Sequence, residues 1–292
     1  MGSFPPNFPP QEQRPSPEFL RPEAGFNPPP PPPVRRQRPS WSYAPATYAL
    51  VGLNCLVFLA MLAHHVSASS PNLDQLMYWG ADNAGNVLIQ GQWWRIVTAM
   101  FVHVGILHLA TNMWCLWNLG LLAEPLMGSA GVLAVYILTG AAGNLLSTFV
   151  NWSKYYPDWT ITHNLGSFPA GAGASGAVFG IAGALIILLK SHRLPVPPLE
   201  LHKLRRSVIL FAAINLVIGF TISLGVVERH TGISIDNSAH LGGVLCGLLF
   251  AVPMVPRIGA PREMFLFRRR VATGIIVGIL VLFSFYLAQL PR

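Results

Sequence analysis

The sequence predicts an all-α polytopic membrane protein, a bundle of seven transmembrane helices, on three observations. Of its 292 residues, 52% are hydrophobic and only 10% are charged, against roughly 25% charged in an ordinary soluble domain. Seven segments without Asp, Glu, Lys or Arg are long enough to serve as spans: about 43–63, 107–123, 131–150, 174–189, 207–224, 238–255 and 271–290. The Lys and Arg residues cluster in short stretches between these segments, as topology signals do. A soluble enzyme is therefore excluded, and the net charge of +8 reads as membrane topology rather than as a nucleic-acid surface.

The elements follow in chain order. Residues 1–42 form a proline-rich tail, with 14 of the 26 prolines before residue 41. Such a segment buries too little apolar surface to offset its ordering entropy, so a disordered, partly polyproline-II tail is expected. The first apolar run begins only after Trp41, which gives no signal peptide, and Pro6 stands where a myristoylation signal needs Ser or Thr. With a cytoplasmic N-terminus, 15 basic residues fall inside, among them Arg35, Arg36, Lys203, Arg205 and Arg268 to Arg270, and only Arg95, Lys154, Arg229 and Arg292 fall outside. This places the C-terminus outside. Cys55, Cys115 and Cys246 lie apart in apolar stretches and read as packing residues.

An unsatisfied polar group in hydrocarbon costs several kcal/mol, so the polar residues kept in the spans need a reason. Three clusters stand out: His103, His108 and Asn112 at the start of the second span, Gly171 to Gly180 around Ser175 at the start of the fourth, and Asp236 to Gly247 around His240 at the start of the sixth. All three spans run from outside to inside, so these residues share the outer half of the bilayer. The fourth span is ~24 Å of helix against ~30 Å of hydrocarbon, so the glycine-rich loop before it should dip below the surface. Gly176, Gly180 and Gly183 make one stripe and Gly243 and Gly247 another, in line with His240, and two such faces allow close approach.

That layer holds the parts of a nucleophilic site. A Ser hydroxyl needs a base, and neutral His is the usual partner, which pairs Ser175 with His240. His108 and Asn112, four apart on one helix face, present hydrogen-bond donors for a developing oxyanion. Asp236, four before His240, reads either as an orienting acid or as an N-cap, and a dyad is the simpler assignment. His103 and His108 are five apart, without a carboxylate or Cys beside them, so no metal site is expected.

Together these residues resemble the rhomboid family of intramembrane serine proteases. The matching patterns are His103-x4-His108-x3-Asn112, Gly173-Ala174-Ser175-Gly176, Ala239-His240-x2-Gly243-x3-Gly247, Trp94-Arg95 after the first span, and Gly120-x3-Glu124-x3-Gly128 after the second. The resemblance covers about 43–256. It implies a six-helix core over that range, with 257–292 forming a cytoplasmic basic loop and a seventh, C-terminal helix. It further implies Ser175 as nucleophile, His240 as base, His108 and Asn112 at the oxyanion, and His103, Arg95, Gly173, Gly176, Phe179 and Gly243 as structural positions near the site. Many bacterial members have Tyr at the position of Phe179, where the ring packs on the catalytic His; Phe keeps the ring and loses the hydroxyl.

The resemblance implies cleavage of single-pass or polytopic transmembrane proteins near the outer membrane face, with small residues flanking the cut. Membrane lipid is the surrounding partner, and no nucleic acid, metal or other cofactor is needed. A bacterial inner membrane is the expected location. Two rival readings exist: a catalytically silent rhomboid-like protein that binds membrane clients, and a transporter using His and Asn as a proton path. A silent binder needs neither Ser175 nor His240, and a transporter's paired repeats and charged midplane residues are not found.

Overall fold

The computed structural model describes residues 44–190, 197–223, 236–255 and 262–290. The proline-rich tail, the start of the predicted basic loop at 257–261, and the residues Arg229 and Arg292, expected on the outer side, fall beyond this range. The described chain is built almost wholly of helix: α1 (Pro45–Ala63), α2 (Leu73–Tyr78), α3 (Ala84–Leu88), α4 (Arg95–Thr98), α5 (Ile106–Met127), α6 (Ser129–Thr162), α7 (Ser175–Leu188), α8 (Pro198–Ser223), α9 (Asn237–Ala251) and α10 (Arg262–Ala288). Among the described residues, α1, α5, α6, α10 and the stretch Asn237–Met254, which is α9 with its closing 3-10 turn, are long and apolar enough to cross a membrane. The shorter α7 and the partly charged α8 occupy two further predicted spans. The protein is thus an all-α polytopic membrane protein.

Several helices run past the predicted span limits. α5 continues to Met127, so Gly120 and Glu124 lie within its last turns rather than after the span, with Pro125 inside the helix. α6 continues to Thr162 through Lys154 and Asp158, and α8 starts at Pro198 on a turn where Lys203 pairs with Glu200 at 3.0 Å. The reason is physical: a helix satisfies its own backbone and extends into water, whereas apolar composition marks only the part in hydrocarbon.

α7 is the central element. Every residue from Gly176 to Leu185 is buried, as expected of a helix that is apolar on all sides, and it packs mainly against α9 and α6. α1 leans on α5 and α6, and α10 lies along α6. The first turn of α1 is capped from α5: the Glu124 carboxylate accepts hydrogen bonds from the Ala46 and Thr47 amides at 3.0 and 2.9 Å and from Thr47 Oγ1 at 2.7 Å. It also accepts from Ser129 Oγ at 2.6 Å. Gly120 gives Thr47 the room to lie there, since a Cβ at Gly120 would come within 2.5 Å of the Thr47 side chain.

The long connection between α1 and α5 is folded by Arg95. Its guanidinium donates to the Met77 and Ala81 carbonyls at 2.7 and 2.9 Å and to Gln92 Oε1 at 2.6 Å, and lies 4.4 Å above the Trp94 ring. The stretch that Arg95 holds runs straight into β1 (Asp82–Asn83), which pairs antiparallel with β2 (Ala170–Gly171), Asp82 opposite Gly171. Arg95 thereby supports the strand that leads into Ser175.

Candidate active site

The approach to Ser175 is set by backbone geometry. After β2 the chain turns at Gly173, whose φ of +125° lies in the region other residues rarely adopt. Its amide donates to the Ala99 carbonyl at 2.9 Å. The turn also brings the backbone against the His108 ring, where a Cβ on Gly173 would come within 2.5 Å of that ring. Ser175 is the first residue of α7, at the helix end where free N–H groups favour negative charge.

His240 comes from the first turn of α9. Its Nε2 lies 2.9 Å from Ser175 Oγ, and the Phe179 ring stacks on the imidazole at 4.3 Å and 16°. The approach of the two helices depends on glycines. A Cβ on Gly243 would strike the Gly176 carbonyl, one on Gly247 the Gly180 carbonyl, and one on Gly183 would lie 2.5 Å from the Val244 carbonyl. Small residues thus let α7 and α9 meet backbone to backbone. Among the described residues no acceptor reaches His240 Nδ1.

Asp236 is the N-cap of α9. Its Oδ1 accepts from the Ser238 and Ala239 amides at 3.0 and 3.1 Å. The other oxygen, Oδ2, accepts from Ser147 Oγ of α6. The hydrogen bonds of the carboxylate thus go to the helix end and to Ser147, and none goes to the imidazole.

His108 and Asn112 lie on α5, with the His108 ring against the turn at Gly173. Asn112 is buried and its Nδ2 donates to the His108 carbonyl at 2.9 Å, while His108 Nδ1 has no partner among the described residues. His103 lies in the loop before α5, so its ring comes within 5.3 Å of the His108 ring despite the unfavourable spacing. It accepts from the Ala174 amide through Nε2 at 3.5 Å, with Nδ1 3.3 Å from the Phe101 carbonyl. Burial, helped by neighbouring His108, pushes the His103 pKa down to about 3, so the ring is neutral. Among the described residues no group of three His, Cys, Asp or Glu side chains is arranged to hold a metal ion.

Sequence reasoning did not single out Asp82. Its carboxylate is buried, takes one hydrogen bond from Thr148 Oγ1 at 3.2 Å, and leaves Oδ1 without a partner. Burial pushes its pKa from 3.8 to about 7; Thr148, the Asn83 backbone and Arg95 oppose this in part, and the Asp236 charge adds to it. The only sequence signal is an acid beside an Asn in an otherwise apolar stretch. Between pH 4 and 7 the native state keeps a proton that the unfolded chain releases, so stability falls as pH rises through this window and levels off above it. Asp82→Asn should melt like the wild type near pH 4 and be more stable at pH 8, by at most about 4 kcal/mol. Melting curves of the two proteins that keep the same pH dependence would contradict the assignment.

The rhomboid domain profile matches residues 90–257, a range that holds Arg95, His103, His108, Asn112, Ser175 and His240. The chain is 31% identical over 240 residues, 82% of its own length and 40% of the relative's, to rhomboid protease GluP of Bacillus subtilis. It is 29% identical over 210 residues, 72% of each chain, to rhomboid protease AarA of Providencia stuartii. RHOMBOID-like protein 5 of Arabidopsis thaliana is 28% identical over 172 residues, which are 58% of this chain and 47% of that one. The chain therefore spans between two fifths and about seven tenths of the length of these relatives. With the matched domain covering more than half of its residues, the chain belongs to the rhomboid family.

Proposed function

We propose that this chain is an intramembrane serine endopeptidase that cuts transmembrane proteins near the outer membrane face through a Ser175–His240 dyad. The observation that carries the reading is the 2.9 Å separation of His240 Nε2 and Ser175 Oγ, in a chain whose relatives include two that bear the name rhomboid protease. Neutral His240 accepts the Ser175 proton as Oγ attacks a peptide carbonyl. The negative charge that develops on the carbonyl oxygen meets donors from His108, Asn112 and the start of α7. His240 then returns the proton to the leaving amine, the C–N bond breaks, and water resolves the acyl-enzyme by the same steps in reverse. A substrate helix must unwind locally first, because an intact helix keeps its carbonyls hydrogen-bonded.

The same reading takes 43–256 as the protease core, 257–292 as a basic loop with an added helix, and 1–42 as a cytoplasmic tail. The distribution of basic residues fits an N-terminus inside, and the membrane assigned is a bacterial inner membrane. The test is reconstitution with single-pass substrates in proteoliposomes and sequencing of the products. Cuts are expected in the outer part of the substrate span beside small residues; cuts confined to the inner half would contradict the topology.

His103 and Asn112 are expected to differ in kind. Loss of one oxyanion donor costs ~10²-fold to 10³-fold in turnover, so Asn112→Ala should lower kcat with little change in melting temperature. His103→Ala leaves the Ala174 amide unpaired in a buried place and should lower stability first. Paired melts and initial rates check this, and a stable His103→Ala protein with a pure kcat defect would contradict the division.

A further inference from the structure

His240 is held by a side chain that it does not touch. Three consecutive amides end on Asp236: those of Ser238 and Ala239 on its carboxylate, at 3.0 and 3.1 Å, and that of His240 itself on its backbone carbonyl, at 3.3 Å. The first turn of α9, which carries His240, is therefore hydrogen-bonded at three successive amides to one residue. That residue is in turn fixed to α6. Ser147 Oγ donates to Asp236 Oδ2 and itself accepts from Asn151 Nδ2 at 3.1 Å, one turn further along α6.

Two further contacts place this anchor among the parts that surround Ser175. The Ala239 carbonyl, next to His240, lies where a Cβ on Gly143 of α6 would be 2.5 Å away, so α6 and the first turn of α9 touch backbone to backbone. Asp236 Oδ2 also lies 4.0 Å from the place a Cβ on Gly171 would take, in β2, the strand that leads into Ser175. The first turn of α9 is thereby seated on α6 at Gly143 and Ser147, one helical turn apart, with β2 beside it. His240 has no carboxylate on Nδ1 among the described residues, so its orientation depends on packing against Phe179 and on the helix turn that carries it.

We propose that Asp236, tied to α6 by Ser147, is a positioning residue of the reaction: it fixes the first turn of α9 and so holds His240 on Ser175. The inference rests on the Ser175–His240 reading of the site. It assigns the effect to the cap and its tether, not to a charge that orients the imidazole.

These alternatives separate by substitution. Asn caps a helix as well as Asp does, whereas Ala does not. A triad acid, by contrast, loses about 10⁴-fold on the change to Asn. Misplacing a catalytic group by about 1 Å costs on the order of 10²-fold.

The experiment measures the second-order rate at which a fluorophosphonate labels the purified full-length protein at 25 °C, normalised to the folded fraction from gel filtration and melting. Asp236→Ala should label about 10²-fold more slowly than the wild type, and Ser147→Ala roughly tenfold more slowly. Asp236→Asn should restore the rate to within a few-fold. A role in stability alone would lower the melting temperature of Asp236→Ala and leave the normalised rate of its folded fraction unchanged, which would overturn the proposal. An Asp236→Asn protein as slow as Asp236→Ala would overturn it as well, in favour of a charge effect. A folded wild type that the probe does not label would instead count against the dyad itself.

Discussion

Ser175→Ala and His240→Ala are each expected to reduce cleavage of a transmembrane substrate by on the order of 10⁴-fold or more, because the two groups act as a unit and either loss removes the covalent route. Their structural costs differ. Ser175→Ala removes one hydroxyl from a helix start and should melt like the wild type. His240→Ala opens space beside Phe179, which now stacks on the ring at 4.3 Å, and should melt somewhat earlier. Rates are therefore compared well below both melting points, on protein recovered as a single gel-filtration species. Near wild-type turnover in either variant would exclude the dyad.

The second large effect is expected from a substitution that touches no reacting atom. Gly243→Val places a branched side chain where the Gly176 carbonyl now lies, and helix backbone does not rotate out of the way as a side chain does. Overpacking a core costs typically ~1 to 3 kcal/mol, and relief here means moving α9 away from α7. That movement opens the contact between Ser175 and His240, and a shift of about 1 Å is worth on the order of 10²-fold in rate. Both melting temperature and kcat should therefore fall. The same change on α10 is the control: a Cβ at Gly274 or Gly278 meets nothing within 4 Å, so Gly274→Val and Gly278→Val should leave rate and stability near wild type. If Gly243→Val behaved like these two, the close approach would not be what holds the site together.

The all-α class and the family were legible in the sequence for separate reasons. Apolar runs without charge report hydrocarbon directly, so the positions of the long helices could be read from composition alone. The family follows from polar groups that an apolar span keeps at fixed spacing, such as His108 with Asn112 and His240 with Gly243 and Gly247. Helix ends were less legible, because the continuation of α6 to Thr162 and the start of α8 at Pro198 lie where water replaces lipid and composition stops reporting helix.

What the sequence hid are the contacts between residues far apart in the chain. Glu124 belongs to a visible motif, but nothing in its spacing says that it caps α1 at Ala46 and Thr47. Ser147 and Thr148 look like ordinary small polar residues of an apolar helix. In the fold these two neighbours hold Asp236 and Asp82 respectively, and through them the start of α9 and the strand pair beside Ser175. His103 was legible as a structural position near the site, whereas its bond to the Ala174 amide depends on the turn at Gly173.

The central claim, that Ser175 is a nucleophile activated by His240, is tested most directly by mapping where a fluorophosphonate attaches. Purified full-length protein is labelled, digested, and the modified peptide identified by mass spectrometry. A single adduct on Ser175 is expected, formed in the wild type and lost in His240→Ala while that variant stays folded. An adduct on another serine, or labelling of Ser175 at the same rate without His240, would contradict the account.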